Sequence, residues 1–499
     1  MKLPASYYNT VSYIGTLIAA LSLLLILFMF IISSVMTDTG SYLGLILFLA
    51  LPSLLFLGLV MIPIGMYVKA KKSKKESSEV NQHFIVIDLN KKQHRNATSI
   101  FIVGTIIFLF LTGIGSYELY HYSESVKFCG TICHTVMKPE YVAYQNSAHA
   151  SVACAQCHIG PGADWFVKSK ITGLYQVYAV LTNNYPRPIP TPIENLRPAR
   201  ETCEQCHWPQ KFYPNSLRTE RHFLTDETNT EWEIQLRMKT GPTHKSQGQS
   251  EGIHWHINQN VQIEYAYTDN KRETIPYVRY INKTTGDTTV FIDQSNPIEL
   301  TALDTLPTRV MDCMDCHNRP SHNYHTPTKF IDEAMAAGKI PTDLPQIKKV
   351  SMEILAKNYE TTDSAKKAIE NGVWNFYMEN YPDLFKTNSE KVKMAVVAIQ
   401  EEFNKNIFPE MKANWDGYPD HIGHREFNGC FRCHNNQHQS EDGKTISKDC
   451  KLCHSIILQG NADTLQVARY NESLDFMHPV DIGDEWKTSN CSDCHRYMY

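Results

Sequence analysis

Three long apolar runs dominate the first quarter of the chain. Leu3 to Thr37 contains LIAALSLLLILFMFII, Thr39 to Val68 contains LGLILFLALPSLLFLGLVMI, and Asn96 to Tyr117 contains IFIVGTIIFLFLTGIG. None carries a charged residue, and each exceeds the roughly 20 residues that a helix needs to cross a bilayer. They predict a membrane anchor over 1–120 with three transmembrane helices. Pro52 and Pro63 should kink the second helix, which is tolerable where neighbours cover the freed carbonyls. The first run has only Lys2 before it, an apolar core too long for a signal peptide and no A-x-A site after it. It therefore reads as a retained anchor.

Beyond the third run the pattern changes twice. VQIEYAYTDNKRETIPYVRYINKTTGDTTVFID alternates apolar and polar residues around the turn signals TDNK and TTGD. That predicts a small insertion of antiparallel strands over about 255–295. Helical spacing returns in DSAKKAIENGVWNFYMENY and SEKVKMAVVAIQEEFNK, which places a helical connector over 331–415.

Charge orients the anchor. Eight Lys/Arg lie between Lys69 and Arg95, and none lies in the short loop Asp38 to Tyr42. By the positive-inside rule the basic loop is cytoplasmic and everything after Tyr117 is outside. His83 and His94 lie in that loop, away from any chemistry on the outer side. Nine of the 48 basic residues and four of the 52 acidic ones belong to the anchor and its loop, so the outer region is about nine charges negative. That argues against nucleic acid and for a basic redox partner steered to an acidic surface.

The 14 cysteines fall into seven pairs with none left over. Six pairs read C-x-x-C-H: Cys154/Cys157/His158, Cys203/Cys206/His207, Cys313/Cys316/His317, Cys430/Cys433/His434, Cys450/Cys453/His454 and Cys491/Cys494/His495. The other has one extra residue, Cys129/Cys133/His134. Zinc ribbons share the C-x-x-C spacing, but zinc does not require a histidine directly after the second cysteine. Covalent haem does: two thiols add to the two vinyl groups, and the adjacent histidine lies under the iron as its axial ligand. Seven c-type haems are therefore expected, with no other metal.

The fold class that follows is mainly α with sparse secondary structure. Three N-terminal transmembrane helices lead into a periplasmic multihaem cytochrome c region with a small β insertion. Its parts are a four-haem module over 121–330, the connector, and a three-haem module over 416–499. Haems packed against one another would form much of the core. Each iron with two histidine ligands needs a distal histidine from elsewhere in the chain. His322, His424, His438 and His478 lie near motifs, and His222 or His254 serves for the remaining iron. His254 and His256, in IHWH, would share one face of a strand.

Residues 100–207 carry a family resemblance. A membrane helix, then FCGTICHTVMKPEYVAYQNSAHASVACAQCH, then GPGADWFVKSKITGLYQVY, resembles the NapC/NirT/NrfH family of membrane-anchored multihaem cytochromes c. Over its full length the chain is similar to the larger heptahaem ImcH-type inner-membrane quinol-oxidising cytochromes. The smaller family typically has one membrane helix and four haems, so three helices and seven motifs are departures from it. The resemblance implies a first haem at the bilayer surface, a multi-pass inner-membrane protein, and a quinol site beside that haem. It offers Met137 as an iron ligand, His149 as a distal ligand and Lys170 as the quinol-site lysine. Gln176 stands where the family has an aspartate. A glutamine can hydrogen-bond a quinol hydroxyl but cannot take its proton; Asp164 and Glu140 are the nearby carboxylates.

For the odd first motif two readings stay open. Either the chain bulges and His134 still ligates, or Met137 ligates and His134 is displaced, which would raise that haem's potential. The function implied is a quinol:cytochrome oxidoreductase. It would pass electrons from menaquinol or ubiquinol to periplasmic cytochromes or a reductase, in anaerobic or extracellular respiration. Two alternatives are a non-catalytic electron conduit in a larger membrane complex and a terminal oxyanion reductase. The sequence is compatible with an oligomer.

Overall fold

The computed structural model describes residues 3–35, 46, 50–76, 88–193, 196–242, 252–298 and 305–497. The loop Asp38 to Tyr42, His83 and His244 lie outside them. The chain divides into two compact units, Met1–Met137 with Ala153–Ala155, and Lys138–Val152 with Gln156–Tyr499.

The first unit holds three helices long and apolar enough to cross a membrane: α1 (Thr10–Val35), α2 (Leu51–Glu76) and α3 (Lys92–Glu124). Helices α2 and α3 run past the apolar stretches that predict them. In α2, Pro52 stands in the first turn and Pro63 in the interior. Small residues let α1 and α2 pack closely. A methyl group added at Gly58 would stand 2.7 Å from the Gly15 oxygen and the Ala19 nitrogen, and one at Gly65 would stand 2.6 Å from Ser12 Oγ. Ser12 Oγ donates to the Ile62 carbonyl at 3.0 Å, just ahead of Pro63. In lipid, close backbone approach and such side-chain bonds supply what the hydrophobic effect supplies in water.

The second unit contains α4 (His134–Gln145) from Lys138 onward, then α5 (Ala163–Leu181) and two antiparallel sheets. The first sheet has order β1-β2-β8-β9, from β1 (Asn215–Phe223), β2 (Glu231–Lys239), β8 (His454–Gly460) and β9 (Gln466–Val467). The second has order β6-β3-β4-β5-β7, from β3 (Val261–Ala266), β4 (Tyr277–Asn282), β5 (Thr288–Asp293), β6 (Thr308–Val310) and β7 (His438–Gln439). Strands β3 to β5 are the predicted insertion. The alternation works because Val261, Ile263 and Tyr265 bury one face while Glu264 pairs with Arg279 across the other at 3.3 Å. The β1–β2 hairpin was not predicted; its nine-residue strands are rich in charge and mostly half-exposed. Both sheets recruit strands from the last third of the chain.

Helices α6 (Pro327–Ala336), α7 (Ile347–Leu355), α8 (Thr362–Asn380) and α9 (Pro382–Asn406) build an apolar core. Thr326 caps α6 by accepting from the Lys329 amide, with Pro327 in the first turn. Thr361 and Ser364 cap α8 reciprocally. Ala365, Ile369, Val373 and Tyr377, at four-residue spacing, are fully buried along one face of α8 against Val392, Ala395, Ile399 and Phe403 of α9. Each large side chain so buried contributes about 1.5–3 kcal/mol.

One ion pair inside this unit is nearly dry. Lys348 Nζ lies 2.6 Å from Asp332 Oδ1 and donates to the Thr328 carbonyl at 3.0 Å. Asp332 also accepts from the Phe223 amide, which ties the end of β1 to α6. Burial alone would push the Asp332 carboxyl up, but Lys348 and His222 hold it below the usual carboxylate range. Lys348→Met strands a buried carboxylate, so we expect a loss of about 3–5 kcal/mol, measured by denaturant unfolding of the haem-loaded protein.

Candidate haem sites

The structure brings histidines together in pairs. Six of the seven motif histidines face another histidine ring. His158 faces His322 at 6.1 Å between ring centroids, and His207 faces His149 at 6.1 Å. His317 faces His254 at 6.4 Å, and His434 faces His256 at 5.8 Å. His454 faces His424 at 6.3 Å, and His495 faces His478 at 6.0 Å. Two metal–nitrogen bonds of about 2 Å each, added to the distance from each nitrogen to its ring centre, give a separation of ~6 Å. The rings therefore stand where two axial ligands of one iron must stand, each pair beside its own pair of cysteines. No disulfide joins any of these cysteines. The donor set thus fits a covalently attached haem at each pair.

Hydrogen bonds at Nδ1 fix the rings so that Nε2 is left for the iron. Nδ1 of His149 meets the Pro320 carbonyl at 3.2 Å, that of His254 the Thr240 carbonyl at 2.7 Å, and that of His256 the Ile253 carbonyl at 3.1 Å. Nδ1 of His478 meets the Val480 carbonyl at 2.7 Å. Burial, with His434 beside it, pushes His256 down to about 4, and burial with His454 does the same for His424. Both imidazoles are neutral at ordinary pH, which is the ligating form.

Neighbouring motifs follow one another in chain order. The thiols of Cys129 and Cys154 lie within hydrogen-bonding reach, as do those of Cys203 and Cys313, and Cys157 lies within electrostatic reach of Cys203. Cys316 lies within reach of Cys430, Cys430 of Cys453, and Cys450 of Cys491. The fourth and fifth motifs are also latched. Asp315, inside the fourth, is 1% exposed and takes Arg309 Nε at 2.8 Å and Arg272 Nη1 at 3.1 Å. Arg432, inside the fifth, donates to the Asp315 carbonyl at 2.6 Å.

Several sequence expectations need correction. Of the attachment thiols, Cys157, Cys206, Cys430, Cys450 and Cys494 are exposed. Cys206 lies in the turn beyond a short helix, Ala199–Cys203, with its amide on the Cys203 carbonyl at 3.2 Å; that turn carries it to the surface while Cys203 stays half-buried. Cys494 lies in a single-turn helix, Cys491–His495, close to the end of the chain, where Cys491 is half-buried and Asp493 beside Cys494 is exposed. Helices α6 to α9 enclose an apolar core of their own. His254 and His256 lie in a short 3-10 helix, Gly252–Ile257, and face two different motif histidines. His438 is fully buried with Nε2 on the Ile275 carbonyl at 2.8 Å, so it holds β7 to the neighbouring chain. His222 is held by Asp332 and Arg425. His256 was not among the candidates; its spacing of two from His254 was the available signal.

The first motif stands apart. Cys129 lies in a short helix, Val126–Thr131, that starts two residues after α3 ends, and Cys133 follows that helix. His134 is exposed and, among the described residues, faces no histidine ring. Met137 follows one turn later on α4. Of the residues expected at a quinol site, Lys170 is half-buried on α5 with Nζ 4.7 Å from the Phe166 ring. It shares a helical face with exposed Leu174, Val177 and Leu181. Gln176 is exposed but six residues along and off that face, and Asp164 is exposed in the first turn.

A model of the NapC/NirT cytochrome c family, N-terminal region, matches residues 90–188. The chain is 41% identical over 488 residues to the cytochrome c-type protein ImcH of Geobacter sulfurreducens, covering 98% of this chain and 95% of that protein. No solved structure matches.

The ring pairs distinguish two histidines close in sequence to motifs. His256→Ala should convert one low-spin haem to high spin, whereas His438→Ala should keep the low-spin count and lower stability. Ferric EPR of the two variants checks this.

Proposed function

This chain belongs to the NapC/NirT cytochrome c family, and from that premise we propose that it is an inner-membrane quinol dehydrogenase. It passes electrons from menaquinol or ubiquinol through seven c-type haems to periplasmic cytochromes or a reductase, in anaerobic or extracellular respiration. Membership makes it a membrane-anchored cytochrome c with covalently attached haem and a role in electron transfer. The observation that carries the finer reading is the ordered run of ring pairs, preceded by a first site whose histidine has no histidine partner among the described residues. We retain four motifs before 330 and three after 416 as the proposed modules, with the helical segment 331–415 between them.

In this reading each cysteine pair holds haem through thioether bonds, Cys203 with Cys206 and Cys491 with Cys494 included. His158, His207, His317, His434, His454 and His495 are proximal ligands, and His322, His149, His254, His256, His424 and His478 are distal ones. When bound, the haems supply one-electron iron centres. Two histidines at each of these six sites leave no iron position open to a substrate, which argues against a terminal reductase.

The first site is different. Axial ligands reach one iron from opposite faces, but His134 and Met137 lie one turn apart on one helix and approach from the same side. Helix α4 therefore supplies one of them and not both. We expect Met137→Leu to leave the first haem's ligation intact if His134 ligates, and to abolish the weak near-infrared Fe–Met band if Met137 does.

Quinol oxidation releases two electrons and two protons. Lys170, on the exposed apolar face of α5, would orient the quinol oxygen as a charge-assisted donor. Gln176 cannot accept a proton, and Glu140 is engaged by Arg319 and His322. Asp164 is the remaining nearby carboxylate, but it lies as far from Lys170 along α5 as Gln176 does and off the same face, so in this reading it accepts the proton through a relay and not by direct contact. A conduit fed by a separate membrane partner would share everything but the donor. We expect a menaquinol analogue to reduce the purified protein rapidly in anaerobic stopped flow. Lys170→Ala should slow that reduction about tenfold or more, the loss of one good charge-assisted contact. Reduction by dithionite but not by quinol would favour the conduit.

A further inference from the structure

Among the described residues, His322 is the one paired histidine with a carboxylate oxygen at ion-pair distance. Its Nδ1 lies 3.0 Å from the Glu140 carbonyl oxygen and 3.1 Å from Glu140 Oε2. The N–H points better at the carbonyl, and the carboxylate charge stands beside it. In the other pairs the distal rings meet neutral partners: carbonyls for His149, His254, His256 and His478, and the Cys491 sulfur at 3.8 Å for His424. Asp420 and Glu426 act on His317, His424 and His495 only from farther away.

The carboxylate is held in place. Arg319 Nη2 lies 3.6 Å from Glu140 Oε1, and Arg319 Nε donates to the His322 carbonyl at 2.7 Å. The guanidinium is 9% exposed and lies over the rings of Tyr324 and Tyr418, 5.0 and 4.4 Å from their centroids. Tyr324 is itself 1% exposed. Ligand, carboxylate and guanidinium are thus packed as one group.

We propose that Glu140 sets the reduction potential of the His158/His322 site, holding it lower than the same pair would be without it. Ferric haem carries one more positive charge than ferrous haem. A fixed negative charge against the ligand therefore favours the oxidised state, and a carboxylate beside Nδ1 makes the imidazole a stronger donor. Arg319 opposes the Glu140 charge in part. Because this motif is second in the chain of motifs, a lowered potential there biases electrons onward to the His149/His207 site. Glu140 acts here through His322 and is a positioning residue.

The inference rests on the ring pairs being axial ligands, and the test separates the two. Redox titration of the haem-loaded full chain would be followed in the visible haem band, with EPR of the ferric low-spin signals. In Glu140→Gln one one-electron wave should move to higher potential by about tenfold in its reduction equilibrium, ~59 mV. In Arg319→Gln the same wave should move the opposite way. If all bis-histidine signals are present and no wave moves in either variant, Glu140 does not set the potential, and the pairing stands. If the unaltered protein shows fewer bis-histidine signals than the six ring pairs require, the pairing itself fails. Should Glu140→Gln lose a bis-histidine signal, Arg319→Gln decides: a downward shift supports the proposal and an unmoved wave overturns it.

Discussion

Two imidazoles that share an iron must face each other about 6 Å apart between ring centres, and most of this protein is arranged around that requirement. A motif supplies one ring and a pair of thiols from five or six consecutive residues. The other ring must come from elsewhere, and its direction must be fixed by something other than the iron. Here that something is main-chain carbonyls: those of Pro320, Thr240, Ile253 and Val480 each hold an Nδ1. Irregular backbone, whose carbonyls are not all spent in ladders, is well suited to this. In the proposed reading, sparse secondary structure around the sites follows from ligation and not from a lack of order.

The same requirement explains why segments far apart in sequence interleave. His254 faces the histidine of the fourth motif and His256, two residues on, that of the fifth, so the turn between them must sit between the two sites. The latch of Arg432 on the Asp315 carbonyl reinforces that junction. Asp315 is almost fully buried yet has Arg272 and Arg309 at bonding distance, and an aspartate so compensated can be tolerated where an unpaired one could not. Strands β7 and β8, from the C-terminal part, close two sheets begun much earlier. Each motif is held by neighbours that no local rule would bring together.

That is why legibility in the sequence was uneven. The membrane helices were plain because twenty apolar residues without charge have few other uses. The motifs were plain because covalent attachment demands fixed spacing. The β3–β5 meander showed its period of two. The β1–β2 hairpin did not, since Arg218, Glu220, Arg221 and Glu233 pair across its surface in place of apolar residues. Distal ligands were the hardest. His438, four residues after His434, is better placed by spacing than His256, yet it is a buried strand residue on the Ile275 carbonyl. Proximity in sequence says little when a ring can reach its partner from well outside its motif's neighbourhood, as His256 does for His434.

The first motif is where these rules relax. In the proposed reading a second histidine closes each of the other six sites, and a closed site can only relay electrons. A site that takes electrons from an organic donor has to be approachable. The extra residue between Cys129 and Cys133 falls in a stretch that is helical through Thr131 and helical again from His134. It moves the histidine on by one residue, past a turn that separates the two helical segments. His134 is left exposed, shortly after the third membrane helix. In the proposed reading one inserted residue bears on both the site's access and its ligand field. In the proposed reading these are the two properties that distinguish a point of electron uptake from the relays behind it.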